Sequence, residues 1–492
     1  MPASPERQLT LSAAPAFHLP DLSGLPGGVV VSPEREVRLE TTCFDTPDLR
    51  LARWGLSLLH RDHQWTLAIP DRSGVPATEL RFEGGAERPP DEAVALVRAY
   101  ARGAALEPVA RMSSWSRRVA LADASGRRLG EVVDDEISVL DGGRVVARYR
   151  EVEIDLERGS DALLRPLRDR LRRAGAGKAD PMPVCLRALG PAARAEPDVV
   201  VPKLPPEPIA GDVVRAALAA GVELVLRYDP LVRIGGDPEH VHQARVGTRR
   251  LRSHLRTFRS LLDREWAAGL RDELGWLAGE LGAVRDGEVL HDRLLVRIAA
   301  LPAVDEAPAA ALAESLAATV ATARARLLEA MSTQRYFDLL ERLVAAAAEP
   351  RLTEAAASPA STVLLGVVRA PWRDLRRAVR ALGEHPADEE LHRVRILAKR
   401  VRYAAEAAAP ALGGDAARFG KLAAAVQTEL GEHQDSITMQ AWLRGAANGR
   451  RRAFVAGELT AMEAVQAQAA RDRWPAAWQR LDQRKARAWL TR

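Results

Sequence analysis

Along residues 1–190 apolar and polar positions alternate in short runs broken by Gly, Asp and Pro. EREVRLETTCF (34–44), QWTLAIP (64–70), RRVALADASGRRLGEVV (117–133) and REVEIDLERG (150–159) carry a period of two, which sends successive side chains to opposite faces of a strand. The third run reads as a hairpin turning around residues 123–126. Helical periodicity interrupts at 91–101 (DEAVALVRAYA) and at 160–175, the second ending at Gly175. The pattern predicts an α+β region of antiparallel strands over 1–195.

Residues 196–208 (EPDVVVPKLPPEP) are rich in Pro and read as a stiff, extended linker. From 209 to 490 the period changes to that of long amphipathic helices, broken near 235–238, 301–308, 349–359 and 411–415. An all-α domain of roughly eight to ten helices is expected. It contains a repeat, with halves at about 209–345 and 360–490. HQARVGTRRLR opens at His242 and HRVRILAKRVR at His392. Counted from each His, basic residues recur at Arg245 and Arg395, Arg249 and Lys399, Arg250 and Arg400, Arg252 and Arg402. Each segment is followed by a Leu-Gly pair with Asp four residues after the Gly: Leu281, Gly282, Asp286 and Leu430, Gly431, Asp435.

Composition narrows the reading. The 492 residues suffice for two or three domains, and 47% apolar with 28% charged content fits a globular chain. The formal net charge of +5 is a mild excess, so basic charge is concentrated in particular helices. The two cysteines, Cys43 and Cys185, sit in no metal-ligand or C-x-x-C spacing; no disulfide and a reducing compartment are expected. The start MPASPERQLTLS lacks a signal-like segment and no run of about 18 apolar residues occurs. These features predict a cytoplasmic location and no membrane partner.

At helical spacing His242, Arg245, Arg249, Arg252, Arg256 and Arg259 fall on one face, and residues 240–262 hold six Arg and no Asp or Glu. Like charges this dense repel, and a structural helix would interleave carboxylates. The stripe rises about 25 Å. Two such stripes brought together would suit an elongated, regularly spaced polyanion. Asp286 and Asp435 read as N-caps or as Arg partners.

The segments VHQARVGTRRLRSHLRTF and LHRVRILAKRVRYAAE, with LGAVRD and LGEHQD, resemble the CHAD domain, the conserved histidine α-helical domain, over about residues 207–490. The resemblance implies a two-repeat helical fold whose basic surface binds inorganic polyphosphate. The contacts it implies fall on His242, Arg245, Arg249, Arg250, Arg252, His392, Arg395, Lys399, Arg400 and Arg402. Arg256 extends the first stripe; its counterpart is Glu406. Association with polyphosphate granules would follow, and the binding needs no cofactor.

Residues 43–70, CFDTPDLRLARWGLSLLHRDHQWTLAIP, resemble the segment around the Y-F-D-T-P-D motif of the CYTH domain, as do stretches holding Arg111, Arg118, Asp134, Glu151 and Glu153. This resemblance implies a triphosphate tunnel, a closed antiparallel β-barrel with charged residues inside. The fold class expected is therefore such a barrel followed by an all-α, two-repeat helical bundle. The tunnel family opens with E-x-E-x-K, whose carboxylates hold a divalent metal and whose Lys grips phosphate. Here that stretch is Glu6-Arg7-Gln8-Leu9-Thr10, so the second Glu and the Lys are lost. The L-R-x-R pattern becomes Leu58-Leu59-His60-Arg61, with Leu59 in place of its first Arg, and Ala68 stands where W-x-L-K-x-P has Lys. A rival match, Glu34-Arg35-Glu36-Val37-Arg38, runs too close ahead of Cys43-Phe44-Asp45 to be the entry strand. The remaining inward set would be Glu6, Arg61, Arg81, Glu83, Arg111, Arg118, Glu151 and Glu153, a phosphate holder or a barrel of paired charges.

The leading reading is a polyphosphate-binding module rather than an enzyme. An Mg²⁺- or Mn²⁺-dependent triphosphatase in the N-terminal domain is the alternative. Nucleic acid is disfavoured, since the stripes carry only Phe258 and Tyr403 as aromatics near their ends. A scaffold whose stripes are filled by the chain's own carboxylates would require Asp and Glu opposite the Arg rows.

Overall fold

Alternation becomes strand and 3.6-residue periodicity becomes helix on the two sides of the Pro-rich segment. The computed structural model describes residues 8–32, 35–71, 76–157, 160–180 and 182–491. The chain divides into Met1–Pro197 and Asp198–Arg492.

The first unit runs β1 (Gln8–Ala13), β2 (Val30–Val31), β3 (Arg35–Asp45), α1 (Arg50–Arg53), β4 (Ser57–Arg61), β5 (Gln64–Pro70), β6 (Pro76–Glu83), α2 (Asp91–Ala101), β7 (Glu107–Ala122), β8 (Arg128–Asp141), β9 (Arg144–Leu156), α3 (Leu164–Arg173), β10 (Gly177–Lys178) and α4 (Val184–Ala188). Every pairing is antiparallel, in the order β10-β1-β9-β8-β7-β3-β4-β5-β6, with β2 on β7. Among the described residues no pairing joins β6 to β10, so the antiparallel sheet is not closed by hydrogen bonds as a barrel would be. One reason is local: β10 spans two residues and pairs only with β1. The antiparallel architecture otherwise agrees with the CYTH resemblance.

The period-two pattern sorts the faces. Val152, Ile154 and Leu156 of β9 are buried with Leu163, Leu167 and Leu171, the last two on α3. Glu151, Glu153 and Asp155 take the opposite face. The expected β7–β8 hairpin forms: the Asp123 carboxylate accepts from the backbone N–H of Ser125 and Arg127 at 2.9 and 3.1 Å, and Gly126 supplies the positive φ of 85°. Residues 35–45 form one strand, so the rival E-x-E-x-R stretch belongs to the strand of Cys43, and its Glu34 lies outside the described residues.

The expectation for the cysteines is corrected. Cys43 of β3 and Cys185 of α4 are joined as a disulfide, with Cα atoms 6.3 Å apart across 142 residues of sequence. Short-range spacing carries no information about a pair brought together by a sheet and a distant helix. Around the bridge Met112, Ile137 and Val139 are buried with both sulfurs.

The second unit runs α5 (Ala210–Ile234), α6 (Pro238–Thr257), α7 (Arg264–Ile298), α8 (Glu306–Ala330), α9 (Gln334–Ala348), α10 (Ala360–Arg380), α11 (Asp388–Leu412), α12 (Gly414–Ala446), α13 (Arg450–Leu481) and α14 (Arg484–Arg487). Breaks at 331–333, 381–387 and 447–449 escape the sequence pattern. The first of these is set by Thr333, whose hydroxyl caps α9 at Tyr336 N–H. Asp237 and Asp263 cap α6 and α7, accepting at 2.8 Å from Glu239 N–H and Trp266 N–H.

The repeat is visible in reciprocal backbone bonds. Ala210 N–H donates to Ser358 O at 2.9 Å, and Ala360 N–H donates to Pro208 O at 2.9 Å. Each half thus anchors the start of the other's first helix. Within the first half, α5 and α6 approach closely at Gly221 and Gly247: a Cβ at Gly221 would stand 2.6 Å from Leu251 Cγ, and one at Gly247 3.1 Å from Gly221 O. The two halves meet where α6 packs on α11. Among the described residues no helix is long and apolar enough to cross a membrane.

Candidate functional site

Helix α6 buries Val241, Ala244, Thr248, Leu251 and Leu255, and α11 buries Leu391, Val394, Ala398 and Val401. Those apolar faces fix the rotation of the helices and bring the two stripes to one seam. Arg245, Arg249, Arg395, Lys399, Arg400 and Arg402 are half-buried along it, while Arg250, Arg252 and Arg256 are exposed. The guanidinium of Arg249, on α6, lies 5.8 Å from the ring centroid of Tyr403, on α11; that of Arg402 lies 5.5 Å from the same ring.

Charges of the two stripes act on one another across the seam. Burial pushes the Lys399 ammonium down to about 8, and Arg395 of its own helix joins Arg249 and Arg245 of α6 in the same direction, while Asp435 opposes. Arg256, exposed overall but with part of its guanidinium desolvated in the seam, is lowered by that desolvation and then by repulsion from Arg400 across the seam and Arg271 of α7. His242 is pushed below the usual imidazole range by burial, then by Arg285, Arg249 and Arg245, against Glu239. His254, buried behind the stripe, falls to about 4 and adds no charge at neutral pH.

Carboxylates are sparse here. Arg245 Nη2 pairs with Asp286 Oδ1 at 2.8 Å, and Arg402 Nε with Glu406 Oε1 at 2.6 Å. Both Asp286 and Asp435 lie well inside helices α7 and α12, so neither is an N-cap; Asp286 is an Arg partner. Burial raises Asp435, with Glu432 and Asp286 adding to it against Arg395 and Arg293. The Leu-Gly pairs have a shared geometry. A Cβ at Gly282 would stand 3.9 Å from Arg245 Nε, and one at Gly431 3.8 Å from Arg395 Nε. Each glycine marks where an arginine of the seam lies against the next helix. The histidines differ: His392 Nδ1 is 2.7 Å from Gln434 Oε1, whereas His242 faces the Arg285 charge.

Several donors have no acceptor among the described residues. Arg249 Nε, Arg395 Nε, Arg400 Nε and the Tyr403 hydroxyl are buried without a hydrogen-bond partner among the described residues. Buried polar groups are nearly always paired; Arg118 and Arg187 also bury an unpartnered Nε while pairing through their other nitrogens, so what distinguishes the seam is that three such guanidiniums and a hydroxyl lie together. A cavity of about 550 Å³ opens beside them, walled by Arg249, Arg252, Arg256, Lys399 and Arg400. Arg259 and Arg271 also line it. Arg271 and Tyr403 are contributors that spacing did not single out as ligands: Arg271 lies on α7, outside both repeats' stripes.

The N-terminal sheet brings together only part of its expected set. Direct cross-strand pairing places Arg61, Arg81, Glu83, Arg118, Glu151 and Glu153 on one face. Arg111 is seven residues from Arg118 on β7, hence on the opposite face, a correction to the inward set. Glu6 lies outside the described residues. Arg61 donates to Thr41 at 2.8 Å, Arg81 pairs with Glu79 at 2.9 Å, and Arg118 lies 3.7 Å from Glu131. Glu83 is exposed. Glu151 is ion-paired to Arg187 of α4, a residue no strand motif could reveal. Asp134 turns the other way, bound at 2.8 Å by buried Arg150. Burial raises Glu153, and Asp155, Asp135, Glu151 and Glu131 raise it further.

The divalent metal that the CYTH resemblance implies does not fit this face. Gln8 and Thr10 stand opposite Asp155 and Glu153 without charge, and Glu151 is neutralised by Arg187. Among the described residues no three His, Cys, Asp or Glu side chains converge as a metal-holding group.

The CHAD domain model matches residues 216–444 of the chain. Two uncharacterized proteins of Mycobacterium tuberculosis, from strains CDC 1551 / Oshkosh and ATCC 25618 / H37Rv, are each 32% identical over 504 residues, covering 95% of this chain and 95% of theirs. Among solved structures, PptA from Streptomyces chartreusis is 29% identical with a TM-score of 0.49, covering 55% of this chain and 99% of its own. The CHAD domain from the plant Ricinus communis is 27% identical with a TM-score of 0.46, covering 60% and 95%.

Proposed function

We propose a function from one premise: the chain belongs to the CHAD domain family. The reading is a polyphosphate-binding protein that holds an inorganic phosphate chain along the α6–α11 seam. One observation carries it. Arg249, Arg395 and Arg400 each bury an Nε donor that no group among the described residues accepts, beside Lys399, whose charge is disfavoured by burial and by its cationic neighbours.

An anionic chain supplies acceptors to all four and relieves their mutual repulsion. Guanidinium–phosphate hydrogen bonds are charge-assisted and suited to the planar fork of Arg. The candidate ligand residues are His242, Arg245, Arg249, Arg250, Arg252, Arg256, His392, Arg395, Lys399, Arg400 and Arg402. Within this set Arg245 and Arg402 are already paired to carboxylates, so they serve the ends of the seam or exchange partners on binding.

The self-filled scaffold finds little support, because Arg249, Arg395, Lys399 and Arg400 form no ion pair with a carboxylate among the described residues, although the Asp435 charge acts on Lys399. Nucleic acid fits less well, since Phe258 is fully buried and Tyr403 is 4% exposed, which leaves neither ring for base stacking. Titration of long-chain polyphosphate into the full chain, with duplex DNA as competitor, tests the reading. Displacement of polyphosphate by DNA at equal phosphate concentration would refute its specificity.

A further inference from the structure

The cavity beside the seam has two chemically different walls. One is the cationic wall of α6 and α11. The other is formed by α10, with Val363, Gly366, Val367, Ala370 and Pro371. That second wall presents no cation to the cavity; its charged residue is Asp374, whose carboxylate lies at the rim, 55% exposed and 3.9 Å from the Arg377 guanidinium of its own helix. Gly366 is exposed, and a Cβ there would meet nothing within 4 Å. Ser253 and Thr257 of α6 and Ser260 of the turn after it also line the cavity, as does Tyr403, whose buried hydroxyl has no hydrogen-bond partner among the described residues.

An inorganic phosphate chain uses only half of such a space. Its oxygens gain nothing from aliphatic side chains and are repelled by Asp374. Pockets of roughly 300–1,000 Å³ with an apolar wall and a few convergent polar groups hold small organic ligands. We infer that this cavity is a binding site for a nucleoside polyphosphate, its phosphates on the Arg249–Arg252–Arg256 wall and its base against Gly366 and Val367. Asp374 then accepts from a base amino group, and the hydroxyls serve the ribose. The inference rests on the seam being a phosphate site and adds an organic half to it.

The test compares ATP with inorganic tripolyphosphate on the full chain, by calorimetry at fixed ionic strength without divalent metal. Charge alone favours tripolyphosphate, which carries more charge per phosphate. The inference expects ATP to bind at least ten-fold tighter. Gly366→Leu fills the organic half while keeping every cation, and Leu is a better helix former than Gly, so α10 persists. It should bring ATP down to the affinity of tripolyphosphate and leave the latter unchanged. Ala370→Leu, on the same wall, repeats the test if the first variant is unstable. Equal or weaker binding of ATP than tripolyphosphate in the unaltered protein overturns the inference. So does a loss shared equally by both ligands in a folded variant. Binding of long-chain polyphosphate in those cases keeps the function proposed above intact; its absence removes both.

Discussion

Arg249 of the first repeat and Tyr403 of the second meet at 5.8 Å across the α6–α11 seam, and each buries a donor with no acceptor among the described residues. The contact makes the seam a joint product of both repeats. On the proposed reading neither stripe alone offers the site, so changes in either half should affect one binding event rather than two.

Charge reversal at the centre follows. Arg249→Glu together with Lys399→Glu should weaken polyphosphate binding by at least about 100-fold, because each reversal replaces attraction by repulsion at a short range. The circular-dichroism melt should stay close to that of the unaltered protein, since removing two mutually repelling cations relieves strain in the free state. Unchanged affinity would show that the seam is not the site.

Proton linkage gives a second expectation. Lys399 titrates at about 8 in the folded chain against an unperturbed 10.5. Between those values the unfolded chain binds more protons than the folded one, so stability rises with pH across about 8 to 10.5. A bound polyanion favours the charged form of Lys399, and of His242, which is also depressed. Binding near pH 8 should therefore take up protons, and affinity should fall as pH rises further. Calorimetry in two buffers of different ionisation enthalpy measures the uptake; identical heats would contradict it.

Asp286 tests whether the carboxylate beside the site supports or opposes binding. Its side chain is 68% exposed, so the pair with Arg245 contributes at most about 1 kcal/mol. Asp286→Ala should leave the urea midpoint nearly unchanged and tighten polyphosphate binding a few-fold. Loss of binding would instead make Asp286 the group that positions Arg245.

Glu463 is the contrasting structural case. It is fully buried and receives Arg293 and Arg297 at 2.7 Å each, tying α13 to α7. Breaking a buried pair strands the remaining charges, at a cost of about 3–5 kcal/mol. Glu463→Ala should lower urea stability by that order while polyphosphate affinity, measured below the transition, holds. A variant as stable as the parent would show that the guanidiniums find other acceptors.

Much of this was legible in the sequence because helical and strand periods are local. The His242 and His392 stripes, the Leu-Gly-x3-Asp echoes and the Pro-rich division follow from spacing alone. The facing of the stripes does not, since it depends on how the apolar sides of α6 and α11 pack. Arg271 joins the cavity from α7, and no period distinguishes it from other surface arginines. In the N-terminal unit, Arg187 neutralises Glu151 from a helix remote in sequence, and Cys185 reaches Cys43 the same way. Arg111 was misplaced by reading motif position instead of parity along β7.

The most direct measurement is a titration of long-chain polyphosphate into the full chain at several salt concentrations, with and without duplex DNA, beside the Arg249→Glu/Lys399→Glu variant. Counterion release predicts a steep linear fall of log affinity with log salt. The account predicts tight binding that survives DNA and vanishes in the variant. Binding that DNA displaces, or that the variant retains, would contradict it.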